Sequence, residues 1–434
     1  MVVELPGTVM TSSPTPASTI DPATATPGQV RSSVRSWLTE QWDQGLPLLE
    51  WRRRLLASGW AVPSWSTRWH GLSLPVWSEQ VVAEEIRAVG AVGLPVGSGM
   101  GLAAPTIRQL GPDVVRKRFL APIVTGEETW CQLFSEPGAG SDLAGLTTRA
   151  ELDGDHWVVN GQKVWNTGAR HADFGMLVAR TNWDVPKHRG LTYFALPMHQ
   201  PGVEVRPLKQ MNYHASFNEV FMTDAVIPKE YVIGDVGGGW AGALITLSYE
   251  RQFASLGRAD PRGAGRAIDE ARHEADEFYS TYAWYPQRAG RADLVIDFAR
   301  RAGREDDPLV RQEVARLITM QRVSSWTASR AAAVRALGRL PGAEGSIGKL
   351  SLSQVARQAA RVHSMIAGAE GMLSGPESPY GGVIAEVLIS VPAQSIAGGT
   401  DEIQRNIIGE RILGLPREPA ADSDVPFRDV RRNA

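Results

Sequence analysis

Glu250 stands near the end of an apolar run, Trp240 to Phe253 (WAGALITLSYERQF), that follows the glycines Gly237 to Gly239. At helical spacing it shares a face with Ala243, Thr246 and Leu247. A carboxylate in apolar surroundings is a stronger base than one in water, so Glu250 is a candidate for proton abstraction. A solvated Glu250-Arg251 pair at a helix end would show the same pattern. A second set of chemically capable residues lies between Cys131 and Thr181. Gly138 and Gly140 let the backbone come close to a ligand, and Ser135, Ser141 and the amides between them offer donors. Trp165 offers an apolar stacking face and Thr167 a hydroxyl. Together these suit an isoalloxazine ring, which needs both a stacking surface and donors near its reactive nitrogen. The same glycines would serve a tight strand connection, and Trp165 a core position.

These residues need a rigid frame. His156 to Val159 and Gln162 to Asn166 flank Asn160-Gly161, which predicts a type I′ hairpin holding Trp165 and Thr167 in register. Thr148 to Pro228 alternates as strands do, with Phe174 to Ala179, Thr192 to Leu196, Val203 to Arg206 and Phe217 to Met222 as further strands. Residues 30 to 126 read as helices: Trp37 to Leu56 is amphipathic, and Val81 to Gly90 and Val114 to Val124 have helical composition. Long helical segments resume after Gly239 and run to about Leu415.

The run EPGAGSD from Glu136, the segment WNTG from Trp165 and a second stretch, IAGGTDEIQRNIIGERILGL from Ile396 to Leu415, resemble the acyl-CoA dehydrogenase family in order and spacing across residues 30 to 416. The resemblance implies FAD as cofactor and oxidation of a saturated acyl thioester to the trans-2-enoyl thioester. It implies flavin contacts at Gln132, Phe134, Ser135, Ser141, Trp165, Asn166, Thr167 and Gly368, with Ser141 also against the thioester. Thr400 and Glu402 match positions that approach the flavin and its phosphates from a helix start, where free amides favour negative charge. A Thr after two glycines is also ordinary helix capping.

Three departures from the family pattern shape the expectation. Many members carry the catalytic Glu immediately before the Gly-Thr of the second signature, where this chain has Gly398. A minority, acting on branched, long or steroid-type acyl chains, carries it where Glu250-Arg251 stands, so the resemblance makes Glu250 the base and gives Arg251 the task of orienting it or the pantetheine chain. The Arg that reaches a neighbouring subunit's flavin pyrophosphate corresponds best to Arg301, with Arg304 close by. The family's Gln-x-x-Gly-Gly-x-Gly appears from Met365 to Gly371 without its Gln. These changes fit a subfamily that assembles as mixed tetramers, in which one chain supplies base and flavin loop and another the pyrophosphate contacts; a homotetramer or homodimer stays open.

Composition narrows the classes further. The chain has 434 residues, enough for two or three domains. Lys plus Arg number 45 against 47 Asp plus Glu, which leaves no basic surplus for nucleic acid or anionic membrane. Cys131 is the one cysteine and the 8 histidines show no close metal-ligand spacing, so neither a disulfide framework nor a metal site is expected, and a reducing cytoplasm is the simplest location. No apolar run is long enough to span a membrane. Gly345 to Leu350 lacks Walker-A spacing and no Gly-x-Ser-x-Gly elbow occurs.

The sequence thus predicts an α+β protein: a disordered tail (1–29), an N-terminal helical domain (30–126), a small β-barrel or sheet domain with the flavin and thioester site (127–230), a C-terminal four-helix bundle (236–416) and a flexible tail (417–434). The substrate would be an acyl-CoA or an acyl-carrier thioester, and the electron acceptor an electron-transfer flavoprotein. Two other readings stay open: a flavoprotein of different oxidation chemistry, of monooxygenase or nitroalkane type, and a non-catalytic partner subunit.

Overall fold

The structure, a computed structural model, describes residues 20–253, 261–336, 343–419 and 422–430, without the side chains of residues 251–253, 335 and 336. Five helices come first: α1 (Pro27–Gln41), α2 (Leu48–Ala57), α3 (Trp77–Ala88), α4 (Ala104–Leu110) and α5 (Asp113–Thr125). The strands follow as β1 (Trp130–Leu133), β2 (Arg149–Asp153), β3 (His156–Lys163), β4 (Phe174–Arg180), β5 (Leu191–Pro197), β6 (Val203–Leu208) and β7 (Phe217–Pro228). Helices return as α6 (Gly239–Phe253), α7 (Arg266–Ser280), α8 (Tyr285–Arg288), α9 (Val295–Arg301), α10 (Pro308–Ala336), α11 (Glu344–Ala367), α12 (Val383–Ser390) and α13 (Asp401–Arg411). The helical, sheet and helical order is the α+β layout expected.

By packing, the chain forms two compact units. In the first, built mainly from the N-terminal helices, Thr26 caps α1 in a reciprocal capping box with Gln29. The single amphipathic helix expected from Trp37 to Leu56 is in fact two. An Asp43 carboxylate takes the Gly45 amide at 2.8 Å, and Pro47, which cannot donate to a continuing helix, caps α2. Trp37 and Trp51 still meet, at 5.6 Å between ring centroids. Within the same unit Arg52 is buried and ion-pairs with Glu274 at 2.6 Å.

The second unit contains the sheet, with strand order β1-β4-β2-β3-β7-β6 and β5 paired to β4. β1 and β4 run parallel, Trp130 opposite Phe174, whereas β4 and β5, β2 and β3, β3 and β7, and β6 and β7 are antiparallel. Every residue of β4 (FGMLVAR) is buried, as a strand covered on both faces requires. Leu133, Val159, Leu177, Phe194, Val220 and Ile227 form the core of the sheet. A separate core of Phe298, Leu317, Val362, Ile366 and Ile384 holds the C-terminal helices.

Asn160-Gly161 does not form the predicted hairpin. β3 runs straight through it, with a bulge between Val159 and Gly161 in its pairing with β7, and the turn lies between Asp153 and His156 instead. The Asn160 side chain exchanges two hydrogen bonds with Asp224, at 2.9 and 3.0 Å. A glycine follows because a Cβ at position 161 would sit 2.4 Å from Thr148 Oγ1 and 2.7 Å from its Cα. The dipeptide therefore serves a β-bulge and a close strand approach.

Residues 422–430, in the segment read as a tail, lie against the connection between β4 and β5: Phe427 is buried and stacks near Trp183. Among the described residues no helix is long and apolar enough to cross a membrane, and no cluster of His, Cys, Asp and Glu is arranged to hold a metal.

Candidate active site

A buried ion pair organises the loop that leaves β1. Glu136 accepts hydrogen bonds from the Thr147 amide (2.7 Å), the Thr147 hydroxyl (2.9 Å), the Thr148 amide (2.9 Å) and Lys163 Nζ (2.9 Å). Lys163 also donates to the Phe134 carbonyl at 2.9 Å. Burial pushes the Glu136 carboxyl upward, but the Lys163 charge and these donors outweigh it and bring its pKa down to about 2. The loop from Glu136 to Thr147 is thus closed at both ends on one carboxylate. Between those ends, Gly138 and Gly140 face open space, with nothing within 4 Å of an added Cβ, and Ser141 is exposed.

The segment after β3 is fixed just as firmly. The Val164 amide donates to the Ser135 carbonyl at 2.9 Å, and Asn166 and Asn218 exchange backbone hydrogen bonds at 3.1 Å. Asn166 Nδ2 donates to the Gln132 carbonyl at 2.8 Å, while its buried Oδ1 has no partner in the protein. Between these anchors Trp165 takes φ +65°, a strained value for an aromatic residue. The residue is 56% exposed, and its ring leans edge-on against Phe217 at 5.7 Å. This exposed indole is not a core residue. With the half-buried Ser135 and Thr167 beside it and the orphaned Asn166 oxygen, it fits a flat aromatic ligand carrying both donors and acceptors.

Glu250 joins this cluster. Gln132 Nε2 donates to Glu250 Oε2 at 3.3 Å, which links the base candidate on α6 to the strand that leads into the loop. α6 is docked on the sheet through a hydroxyl relay one turn earlier: Thr246 meets Thr106 of α4 at 3.0 Å and Tyr193 of β5 at 2.9 Å, all three buried. Tyr282 and Tyr285 lie within electrostatic reach of Glu250. Burial raises both phenol pKa values, and the Glu250 charge adds to that rise. These rings continue an aromatic chain from Trp165 through Phe217, Trp284 (5.9 Å from Phe217) and Tyr285 (5.1 Å from Trp284) to Tyr282 (4.6 Å from Tyr285). The Arg251 side chain lies outside the described residues.

Not every predicted residue joins the cluster. The Phe134 ring is buried edge-on to Tyr193 at 5.7 Å, so only its backbone faces the loop. Arg301, at the end of α9, pairs with Asp297 at 2.8 Å and lies over Tyr380 at 5.2 Å. Gly368 ends α11 with φ +56°. Thr400 caps α13 by accepting from the Ile403 amide at 3.3 Å, and Glu402 is exposed beside Arg405. Asp401 is buried and pairs with Arg357 at 3.0 Å. Gly398 (φ +70°) faces open space.

Sequence reasoning missed Lys163, Tyr282 and Tyr285. Lys163 had a signal: it occupies an inward position in the alternation of β3, with burial falling on Trp157, Val159 and Lys163. An inward lysine demands a buried acid, and Glu136 stands in the neighbouring loop. The tyrosines had none, because only the packing of the segment after α7 brings them to Glu250.

A seven-stranded sheet that stands between helical segments in the chain order, with a strained exposed tryptophan, a glycine loop and a carboxylate linked in one cluster, is an arrangement that could serve an oxidoreductase holding a flat aromatic cofactor. The models of the acyl-CoA dehydrogenase N-terminal, middle and C-terminal domains match residues 29–127, 131–225 and 288–413. The chain is 35% identical over 413 residues to the acyl-CoA dehydrogenase IpdE1 of Mycobacterium tuberculosis, covering 90% of this chain and 98% of that one. Among solved structures, the ChsE4-ChsE5 complex of the same organism matches with a TM-score of 0.61 and 26% identity, over 90% of this chain and 98% of that one. The Tcur3481-Tcur3483 steroid acyl-CoA dehydrogenase matches in fold with a TM-score of 0.63 and 23% identity, over 92% and 99%. The protein belongs to the acyl-CoA dehydrogenase family, whose members are generally FAD-dependent oxidoreductases.

Proposed function

We propose that this chain oxidises a saturated acyl thioester to the trans-2-enoyl thioester, with Glu250 removing the α-proton. The observation that carries the reading is the Gln132–Glu250 hydrogen bond, because it ties a carboxylate on α6 to the strand whose loop holds Ser135 and to the segment that presents Trp165. FAD, when bound, supplies the acceptor for the hydride leaving the β-carbon. The chain's own residues do the rest. Trp165 offers a stacking face, Ser135 and Thr167 offer hydroxyls for the ring, and Ser141 offers one at the loop where the thioester would lie. Tyr282 and Tyr285 keep water from one side of Glu250, which strengthens a carboxylate as a base. Gln132 fixes the orientation of that carboxylate before substrate arrives.

The likeness to the Tcur3481-Tcur3483 steroid acyl-CoA dehydrogenase supports a bulky acyl group, branched or polycyclic; in this reading it is carried on CoA or on a carrier's pantetheine arm, with an electron-transfer flavoprotein as the acceptor that the family resemblance implies. ChsE4 and ChsE5 form a complex with each other, which supports assembly of this chain with a second dehydrogenase-like chain. Exposed apolar side chains on the C-terminal helical segment, including Leu309, Trp326, Ile396 and Leu413, agree with a surface that meets another subunit.

The test is anaerobic reduction of the bound flavin by straight, branched and steroid-side-chain acyl-CoA thioesters. Glu250→Gln retains the flavin and slows its reduction by about 10²- to 10⁴-fold, the loss expected of a general base. A variant that reduces at the wild-type rate would remove Glu250 from the mechanism, and a wild-type flavin that no thioester bleaches would remove the reaction.

A further inference from the structure

Asp142 ends the glycine loop, and its partner is not within that loop. Lys187, on the connection between β4 and β5, reaches Asp142 at 3.0 Å and Asp422 at 2.9 Å. One ammonium therefore bridges the loop beside Ser141 to a segment some 280 residues later in the chain. That segment docks by more than charge. The Phe427 amide donates to the Val185 carbonyl at 2.9 Å and the Arg428 amide to the Trp183 carbonyl at 3.0 Å, while Pro426 bridges Pro186.

Phe427 covers Arg180, whose guanidinium carbon lies 3.4 Å from the centroid of its ring. Arg180 is fully buried, and it donates to the carbonyls of Ala144 (2.6 Å), Leu146 (3.1 Å) and Lys187 (3.1 Å). Two of those carbonyls belong to the stretch directly after Asp142. A buried guanidinium holds backbone carbonyls strongly only while water is kept from it, and Phe427 is the lid that keeps it out. The same connection reaches the start of the base's helix: His188 meets Trp240 edge-on at 4.8 Å.

We propose that residues Asp422 to Val430 are an intramolecular strap, and that Phe427 and Lys187 are positioning residues that hold the Gly138–Leu146 loop in its ligand-ready shape. Phe427 acts through Arg180 on the backbone after the loop, and Asp422 acts through Lys187 on Asp142. The strap rests on the proposed function only for its consequence, the tighter capture of a thioester by Ser141 and its neighbours; its mechanical part stands on the contacts alone.

Hydrogen–deuterium exchange on the whole purified protein tests the mechanical part without any substrate. Phe427→Ala, and separately Lys187→Met and Asp422→Asn, raise exchange at the amides of residues 139–147 by at least about threefold, while amides of β5 and β7 are unchanged. Unchanged exchange at 139–147 in all three variants overturns the strap. The two charge variants leave Phe427 in place, so they decide the matter if the alanine variant folds poorly. With the acyl-CoA that reduces wild-type flavin fastest, Lys187→Met raises KM by about threefold with kcat within about twofold, the scale of one partly exposed ion pair. An unchanged KM alongside faster loop exchange would overturn the catalytic consequence. If no thioester reduces the wild type, the proposed reaction fails while the exchange result still decides the strap.

Discussion

Replacing Glu136 with Gln tests whether the Glu136–Lys163 pair is what holds the glycine loop. Glu136 is 6% exposed and Lys163 fully buried, so solvent does little to soften the loss. In the folded protein the carboxyl pKa falls from an ordinary 4.5 to about 2. At about 1.4 kcal/mol per pH unit the carboxyl's share is about 3 to 4 kcal/mol of stability, offset in part by the burial that lowers the Lys163 pKa. Because the folded value lies below the unfolded one, the contribution is complete above about pH 5 and is lost as pH falls toward 2. The Gln variant also strands a buried ammonium, for which losses of about 3 to 5 kcal/mol are usual. Urea unfolding followed by tryptophan fluorescence at pH 7 therefore shows Glu136→Gln about 3 kcal/mol less stable than wild type. The gap narrows between pH 5 and pH 3 as the unfolded chain's carboxyl takes up a proton that the folded carboxylate does not. Glu136→Gln with Lys163→Met recovers part of the loss, since an apolar pair needs no charge partner. A single-variant cost under about 1 kcal/mol, or a gap that stays constant down to pH 3, would refute the assignment.

Three further expectations rest on separate contacts. Thr246→Val removes the hydroxyl shared by Thr106 and Tyr193 and leaves two buried groups short of a partner, so urea unfolding shows a loss of about 1 to 3 kcal/mol. Gly161→Ala forces a Cβ to 2.7 Å from the Thr148 backbone, whereas Gly154→Ala, at φ +59° in open space, meets only left-handed strain. The thermal midpoint of the first therefore falls well below that of the second, which loses only about 1 kcal/mol. Gly398→Glu in a Glu250→Gln background meets nothing within 4 Å of its Cβ, and stopped-flow measurement of flavin reduction shows partial recovery if the α13 entrance faces the same acyl carbon.

The sequence made the order of the domains legible because helical and strand periodicities differ over long windows, and β4 to β7 appear within a few residues of where alternation places them. It misplaced features decided by a single local event. Trp37 to Leu56 keeps its apolar face across Gly45 and Pro47, so periodicity alone could not expose the break. Asn160-Gly161 has the composition of a hairpin turn, but its glycine answers to Thr148, a residue outside its own strand. The glycine loop, Trp165 and Glu250 were visible as residue types. What makes them a site was not: the inward Lys163, the hydroxyl relay through Thr246 and the tyrosines beside Glu250 are tertiary contacts with no local pattern. The tail read as flexible carries one buried aromatic, Phe427, and a lone Phe in a polar segment gives no hint of the arginine it covers.

The two places where a family base can stand differ in how this fold holds them. Gly398 and Gly399 both have positive φ (+70° and +87°), and their carbonyls are held by the Gln404 amide at 3.0 and 3.3 Å. A side chain there would begin from a strained backbone with open space before it, and its direction would depend on a two-glycine turn. Glu250 begins from regular helix. One turn before it, Thr246 is locked to β5 and α4, and its own carboxylate is held by Gln132 from β1. The strand that places Gln132 is the one that delivers Ser135 to the Trp165 segment, so the proposed base and the glycine loop are referred to the same sheet rather than to separate elements. A base needs its oxygen within hydrogen-bond reach of one particular proton, and an error of position is smallest when base and ring are built on one rigid support. A base on α6, as proposed, would therefore cost this chain no precision, and it would leave the start of α13 free to be a turn of glycines.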